Sequence, residues 1–174
     1  MTRLGFPLQK EVDPAARAVV LRVLHDPRQP MPQNALQRTL EIRTRGRGFI
    51  DVTREIADVV EASGVETGTC SLFLQHTSAS LVIQENADPA VLRDLERWMS
   101  ALVPESATYE HDAEGPDDMP AHIRGAITKT SEVVPVTRGK LGLGTWQAVY
   151  VWEHRRAPHV RRLIVTLLGV PKEP

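Results

Sequence analysis

A chain of 174 residues with 41% hydrophobic and 25% charged side chains has the balance of a folded protein, with length enough to bury a core without disulfides or structural metal. Its formal net charge of −1 at pH 7 includes no strongly basic region, which argues against a polyanion-binding surface and so against nucleic-acid partners. The single cysteine, Cys70, excludes an intramolecular disulfide and a multi-cysteine zinc site within one chain; in the apolar run Thr69–Leu74 it reads as a small buried hydrophobe.

Residues 1–34 read as an N-terminal extension, extended or flexible, because Pro7, Pro14, Pro27, Pro30 and Pro32 interrupt them. Only Ala15–Leu24 could form a short amphipathic helix there. That run is broken by Arg17 and Arg22 and falls short of the roughly 20 apolar residues that a membrane span requires. No secretory leader is evident, so the expectation is a cytoplasmic protein without membrane association.

The domain is placed at residues 35–170. Leu36, Leu40 and Ile42 alternate with polar residues, the period of a half-buried strand. Gly46 and Gly48 turn the chain. Thr53 is positioned to cap a helix carrying Ile56, Val59 and Val60 on one face, and Ser63-Gly64 ends it. Strands are predicted from about Thr69 to His76 and over Ser80–Gln84. Asp88-Pro89 then starts a second helix with Leu92, Leu95, Met99 and Leu102 at spacings of three and four, closed by Pro104; Trp98 beside that stripe is expected to pack in the core. Residues 105–122 read as a polar, turn-rich loop. Strands return at Ser131–Val136, Leu141–Glu153 and Arg161–Leu168, the last two as an antiparallel hairpin around His154–Val160. Two helices and six or seven strands, mostly adjacent in sequence, define an α+β domain with mainly antiparallel pairing.

Three places concentrate reactive side chains. His76 ends a predicted strand and leads through Thr77 and Ser78 toward Glu85 and Asn86; no nucleophile-elbow motif accompanies the serines. Between Tyr109 and His122 fall two histidines, His111 and His122, and five carboxylates, among them Asp117 and Asp118. Imidazole nitrogen and carboxylate oxygen form the ligand set of zinc and other divalent ions, although a solvated acidic loop accounts for the composition equally well. Third, the Gly139–Gln147 segment, with Trp146 and Gln147, precedes four arginines within residues 155–162. Guanidinium groups suit phosphate oxygens. A metal-competent acidic loop with an arginine-rich segment is what a phosphorylated small-molecule substrate needs.

At His76-Thr77-Ser78-Ala79-Ser80, Glu85-Asn86-Ala87-Asp88-Pro89, Tyr109-Glu110-His111, Asp117-Asp118-Met119-Pro120-Ala121-His122, Leu143-Gly144-Thr145-Trp146-Gln147 and Glu153-His154-Arg155, the chain resembles the YjbQ family, also called the secondary thiamine-phosphate synthase family. The resemblance spans about Leu36 to Gly169. It implies a β-sandwich with two flanking helices that assembles as a homotrimer with sites near subunit contacts. It also implies weak thiamine-phosphate synthase activity, which joins a pyrimidine diphosphate to a thiazole phosphate and releases pyrophosphate. On that reading His76, His111 and His122 form the catalytic or metal centre with Glu85 and Asn86, and Asp117 and Asp118 are ligands or support them. Arg161 contacts phosphate, while Trp146, Gln147, Thr77 and Ser78 shape the substrate pocket. The cation would be zinc, magnesium or manganese, with no organic cofactor. The chain departs from many members at Pro120 and at His159, where an aspartate and an arginine are common. Metal-assisted phosphoester hydrolysis and a trimeric binding protein without turnover are the alternative readings.

Overall fold

The computed structural model describes residues 34–171. The expectations for the extension, including the Ala15–Leu24 helix, lie outside those residues. In chain order the elements are β1 (Asn34–Arg43), β2 (Gly48–Asp51), α1 (Thr53–Ser63), β3 (Val65–Leu74), β4 (Ala79–Glu85), α2 (Pro89–Leu102), α3 (Asp118–Ile127), β5 (Ser131–Thr137), β6 (Lys140–Leu141), β7 (Gln147–Glu153) and β8 (Val160–Pro171). Among the described residues no helix is long and apolar enough to cross a membrane.

The strands form two antiparallel sheets, ordered β1-β8-β3-β5-β6 and β2-β7-β4. One face of each sheet feeds a shared core: Leu72, Leu74, Leu163 and Val165 from the first meet Leu81, Val149 and Val151 from the second. Helix α1 adds Ile56, Val59 and Val60 to that core. A second cluster, Met99, Val103 and Trp152 with Phe49, Val82, Leu95 and Ile123, packs α2 and α3 on the other face of the three-stranded sheet. Strand β7 is therefore covered on both sides, and Ala148–Glu153 are all buried.

Local chemistry accounts for most of the element ends. The Asp88 carboxylate accepts the Ala90 N–H at 2.7 Å, and Pro89 occupies the first helical turn of α2. Gly64, at φ 66°, closes α1 in the left-handed conformation expected of it. The cap at the start of α1 is different from expectation. The Asp51 carboxylate takes the Thr53 N–H at 2.9 Å, and the Thr53 hydroxyl instead accepts the Val149 N–H at 2.9 Å, tying α1 to β7.

Four further expectations are corrected. Among the described residues there are three helices, because Asp118–Ile127, read as the end of a loop, is α3. Strands β7 and β8 are not a hairpin: β7 pairs with β2 and β4, β8 with β1 and β3, and residues 154–159 cross between the sheets. The long strand expected over Leu141–Glu153 is broken after Leu141 by a loop that re-enters at Gln147. Trp98 is 59% exposed, since the buried side of α2 centres on Met99.

Candidate metal centre

Helix α3 places Asp118 and His122 four residues apart on one face. The irregular segment before it brings His111 to the same point. His111 Nε2 lies 2.8 Å from Asp118 Oδ2, and His122 Nε2 lies 3.7 Å from the same oxygen. The three ligand atoms all fall within 4.8 Å of one another. A tetrahedral zinc site with bonds of about 2.1 Å separates its ligands by roughly 3.4 Å, between the two observed spacings. The Asp118 side chain is 2% exposed, whereas those of His111 and His122 are 52% and 34% exposed. The cluster is thus open on its imidazole side.

The Asp118 carboxylate has an unequal pair of oxygens. Oδ1 accepts from Arg155 Nη1, while buried Oδ2 has no hydrogen-bond partner among the described residues. The approach of His111 Nε2 lacks hydrogen-bond geometry. An anionic oxygen buried without a donor is costly, and two imidazole nitrogens beside it make the donor set that a divalent cation satisfies. The residues present fit such an ion.

Asp117, expected as a ligand or a support, lies outside the His111–Asp118–His122 cluster. Its Oδ2 accepts the Arg156 N–H at 2.8 Å and Arg155 Nε at 3.2 Å, so it is committed to holding the arginine that holds Asp118. Burial works against its charge, yet these two donors keep its carboxyl below the usual carboxylate range. Arg155 also donates to the Glu114 carbonyl at 2.8 Å. These contacts hold the Asp118 carboxylate in place, as supports of a metal ligand would.

Arg161 does not present an open guanidinium. It is 1% exposed and bidentate on Glu153, itself 0% exposed, with bonds of 2.7 and 2.6 Å. Its guanidinium, expected to contact phosphate, is paired with that carboxylate in the structure. Arg161 Nη2 also donates to Ser78 Oγ at 3.2 Å, and Ser78 Oγ lies 3.0 Å from His76 Nδ1. Strand β3 ends at Leu74, so His76 stands in the exposed turn beyond it and outside the His111–Asp118–His122 cluster. Thr77 is exposed in that turn, and its carbonyl is backed by α3 at Gly125, where a Cβ would stand 2.5 Å from Thr77 O.

The remaining expected residues sit elsewhere. Ala79 pairs with Glu153 at one end of β4, and Glu85 pairs with Gln147 at the other. Six residue steps at about 3.3 Å put Glu85, Asn86, Trp146 and Gln147 roughly 20 Å from the histidine end of the sheet. There Asn86 N donates to Trp146 O at 3.1 Å, Gln147 Oε1 accepts the Gly144 N–H at 2.8 Å, and Trp146 is 64% exposed.

Three residues were missed as site members. The half-buried Arg155 and the buried Glu153 are charges that order it, and His154, 0% exposed, bonds Ser80 Oγ at 2.9 Å through Nε2. Burial, then the charge of Arg124, pushes the His154 pKa down to about 3. The available signal was the Glu153-His154-Arg155 run itself, at the end of an otherwise apolar strand.

Two antiparallel sheets around one core, three helices and a histidine–carboxylate centre on α3 define an α+β protein with a candidate metal site. The family model described as UPF0047 protein YjbQ-like matches residues 38–170, and the chain belongs to that family. It is 55% identical over 134 residues to UPF0047 protein sll1880 of Synechocystis, covering 76% of this chain and 91% of the relative. It is 47% identical over 134 residues to UPF0047 protein YjbQ of Salmonella typhimurium, covering 76% of this chain and 97% of that one. Among solved structures, a YjbQ/UPF0047 protein from Clostridium acetobutylicum superposes with a TM-score of 0.67 at 34% identity, covering 76% of this chain and 98% of that chain. A YbjQ-like protein from Sulfolobus solfataricus superposes with a TM-score of 0.73 at 25% identity, covering 79% and 99%.

Proposed function

We propose that the chain is a divalent-cation-dependent enzyme acting on a phosphorylated small molecule, and that its reaction is transfer of the thiamine-phosphate synthase type. The observation that carries the reading is the convergence of His111 Nε2 and His122 Nε2 on the buried, hydrogen-bond-free Oδ2 of Asp118. A cation held there would supply positive charge to phosphate oxygens and to departing pyrophosphate. The chain's own residues then have separate tasks. Arg155 and Asp117 fix the carboxylate, and the half-exposed His111 leaves the cluster open toward solvent.

The site is best read as completed between copies of the chain. The pocket beside His111, lined by Thr108, Tyr109, Gly115 and Pro116, has a volume of about 200 Å³. Small-molecule sites usually enclose roughly 300–1,000 Å³. Glu85, Asn86, Trp146 and Gln147 are too far along β4 and β7 to reach the same molecule within one chain. The outer face of the five-stranded sheet also exposes Phe73, Val133 and Leu168, at 48%, 61% and 53%. A homotrimer would cover apolar surface and bring distant motifs together.

The test supplies the purified protein, refilled with zinc, magnesium or manganese, with a hydroxymethylpyrimidine diphosphate and a thiazole phosphate. Thiamine phosphate and pyrophosphate should form, and His111→Ala should abolish both. Inorganic phosphate released from a simple phosphomonoester would instead place hydrolysis at the same centre. Neither product, with metal bound, would leave a binding protein.

A further inference from the structure

We infer that His76 is a neutral hydrogen-bond donor through Nε2–H, held in that tautomer by Ser78, and that it binds an anionic oxygen of the ligand beside the metal centre instead of ligating the metal. The inference rests on the proposed reading for the nature of the ligand, though not for the tautomer. The Ser78 backbone N–H points at His76 Nδ1 at 3.1 Å, and Ser78 Oγ lies 3.0 Å from the same nitrogen. A backbone N–H can only donate, so Nδ1 must be the unprotonated nitrogen of the ring. The Ser78 hydroxyl has an oriented proton for the same reason. Its oxygen accepts from Arg161 Nη2 at 3.2 Å, which directs its own hydrogen away from the guanidinium and toward Nδ1.

The chain Glu153–Arg161–Ser78–His76 is buried at its base, where Glu153 and Arg161 are almost inaccessible and Ser78 is 2% exposed, and it reaches solvent at the His76 ring. With Nδ1 occupied, the neutral ring carries its remaining proton on Nε2. A nitrogen bearing a proton has no lone pair for a metal, but it suits a phosphate or carboxylate oxygen. Burial, then the positive charge of Arg161, also lowers the pKa of His76, which keeps the ring neutral near pH 7. Thr77, the next residue, backs onto Gly125 of α3, three residues from His122, which sets the His76 turn against the helix that carries Asp118 and His122. His159 makes a useful contrast. Its Nδ1 lies 2.8 Å from the Ala157 carbonyl, an acceptor only, so its Nδ1 carries the proton and its Nε2 the lone pair.

Nitrogen-detected NMR of the histidine rings in the metal-free protein at pH 7.5 reads the tautomers directly. His76 should show an unprotonated Nδ1 and a protonated Nε2, and His159 the reverse; a protonated Nδ1 on His76 overturns the inference whether or not any metal binds. With zinc-loaded protein and inorganic pyrophosphate as the probe, His76→Ala should keep its zinc and weaken pyrophosphate binding by about ten- to a hundredfold, the scale of one hydrogen bond to a charged group. Zinc lost from His76→Ala would make His76 a ligand, and unchanged pyrophosphate affinity would remove its donor role; either result overturns the inference. Zinc absent from the wild type would instead refute the proposed metal centre and leave the tautomer to be decided by NMR.

Discussion

His154 makes the fold sensitive to acid below about pH 6.5. It is 0% exposed, and its pKa in the folded protein is held down at about 3 by burial and by the charge of Arg124. In the unfolded chain it returns to about 6.5. Between these values the unfolded state binds a proton that the folded state refuses, so stability falls as pH falls. Each pH unit costs about 1.4 kcal/mol, and the descent from pH 6.5 to 5 costs roughly 2 kcal/mol from this residue alone. The carboxyls of Glu153 and Asp117, also held below the usual range, lose their stabilisation in the same direction but only at lower pH. His76, whose pKa is lowered as well, contributes with the same sign. Comparison with His154→Gln separates the terms, because every other group is common to both proteins. Urea denaturation at pH 7.5 and pH 5, at fixed protein concentration, should show the wild type losing about 2 kcal/mol more than the variant, or roughly 4–8 °C in Tm. Equal losses in the two proteins would refute the claim that a buried neutral His154 is refused its proton.

Gly125 is where α3 meets the Thr77 backbone, and a Cβ there would stand 2.5 Å from Thr77 O. Gly125→Ala should lower stability by about 1–3 kcal/mol, read as a lowered urea midpoint; an unchanged midpoint would show the approach to be loose. Burial pushes the Cys70 thiol up to about 12, so a disulfide reagent at pH 8 should react slowly with native protein and fully in urea. Fast labelling of the native protein would contradict its burial.

Legibility in the sequence followed periodicity. Strand β8 alternates fully buried with less buried residues along Arg161–Leu167, and its partner β1 shows a similar pattern at Leu40–Ile42, so both were readable. Strand β7 is continuously buried because the shared core covers one face and α2 with α3 the other. That run, unlike the alternating one, should have warned that β7 and β8 belong to different sheets. Helix α3 begins inside the polar, turn-rich run 105–122, and Pro120 in its first turn removes no internal hydrogen bond. Met119, Ile123 and Ile127 do carry a four-residue period behind it. The candidate centre was legible as a composition, His111, Asp118 and His122, but its supports were not. Nothing local says that Glu153 pairs with Arg161 or that Arg155 reaches Asp117 and Asp118, because those partners meet only when two sheets and a helix close together. For the same reason Arg161, which looks like a solvent-facing cation in the sequence, is buried and neutralised.

Zinc titration of chelator-treated protein, followed by elemental analysis after gel filtration, tests the metal centre most directly. Wild type should retain about one zinc per chain, a stoichiometry set by the single His111–Asp118–His122 cluster found among the described residues. His111→Ala and His122→Ala should each retain almost none while their circular dichroism spectra stay unchanged, since both side chains are partly exposed. Wild type without stoichiometric zinc, manganese or magnesium, or variants that keep the full complement, would contradict the account.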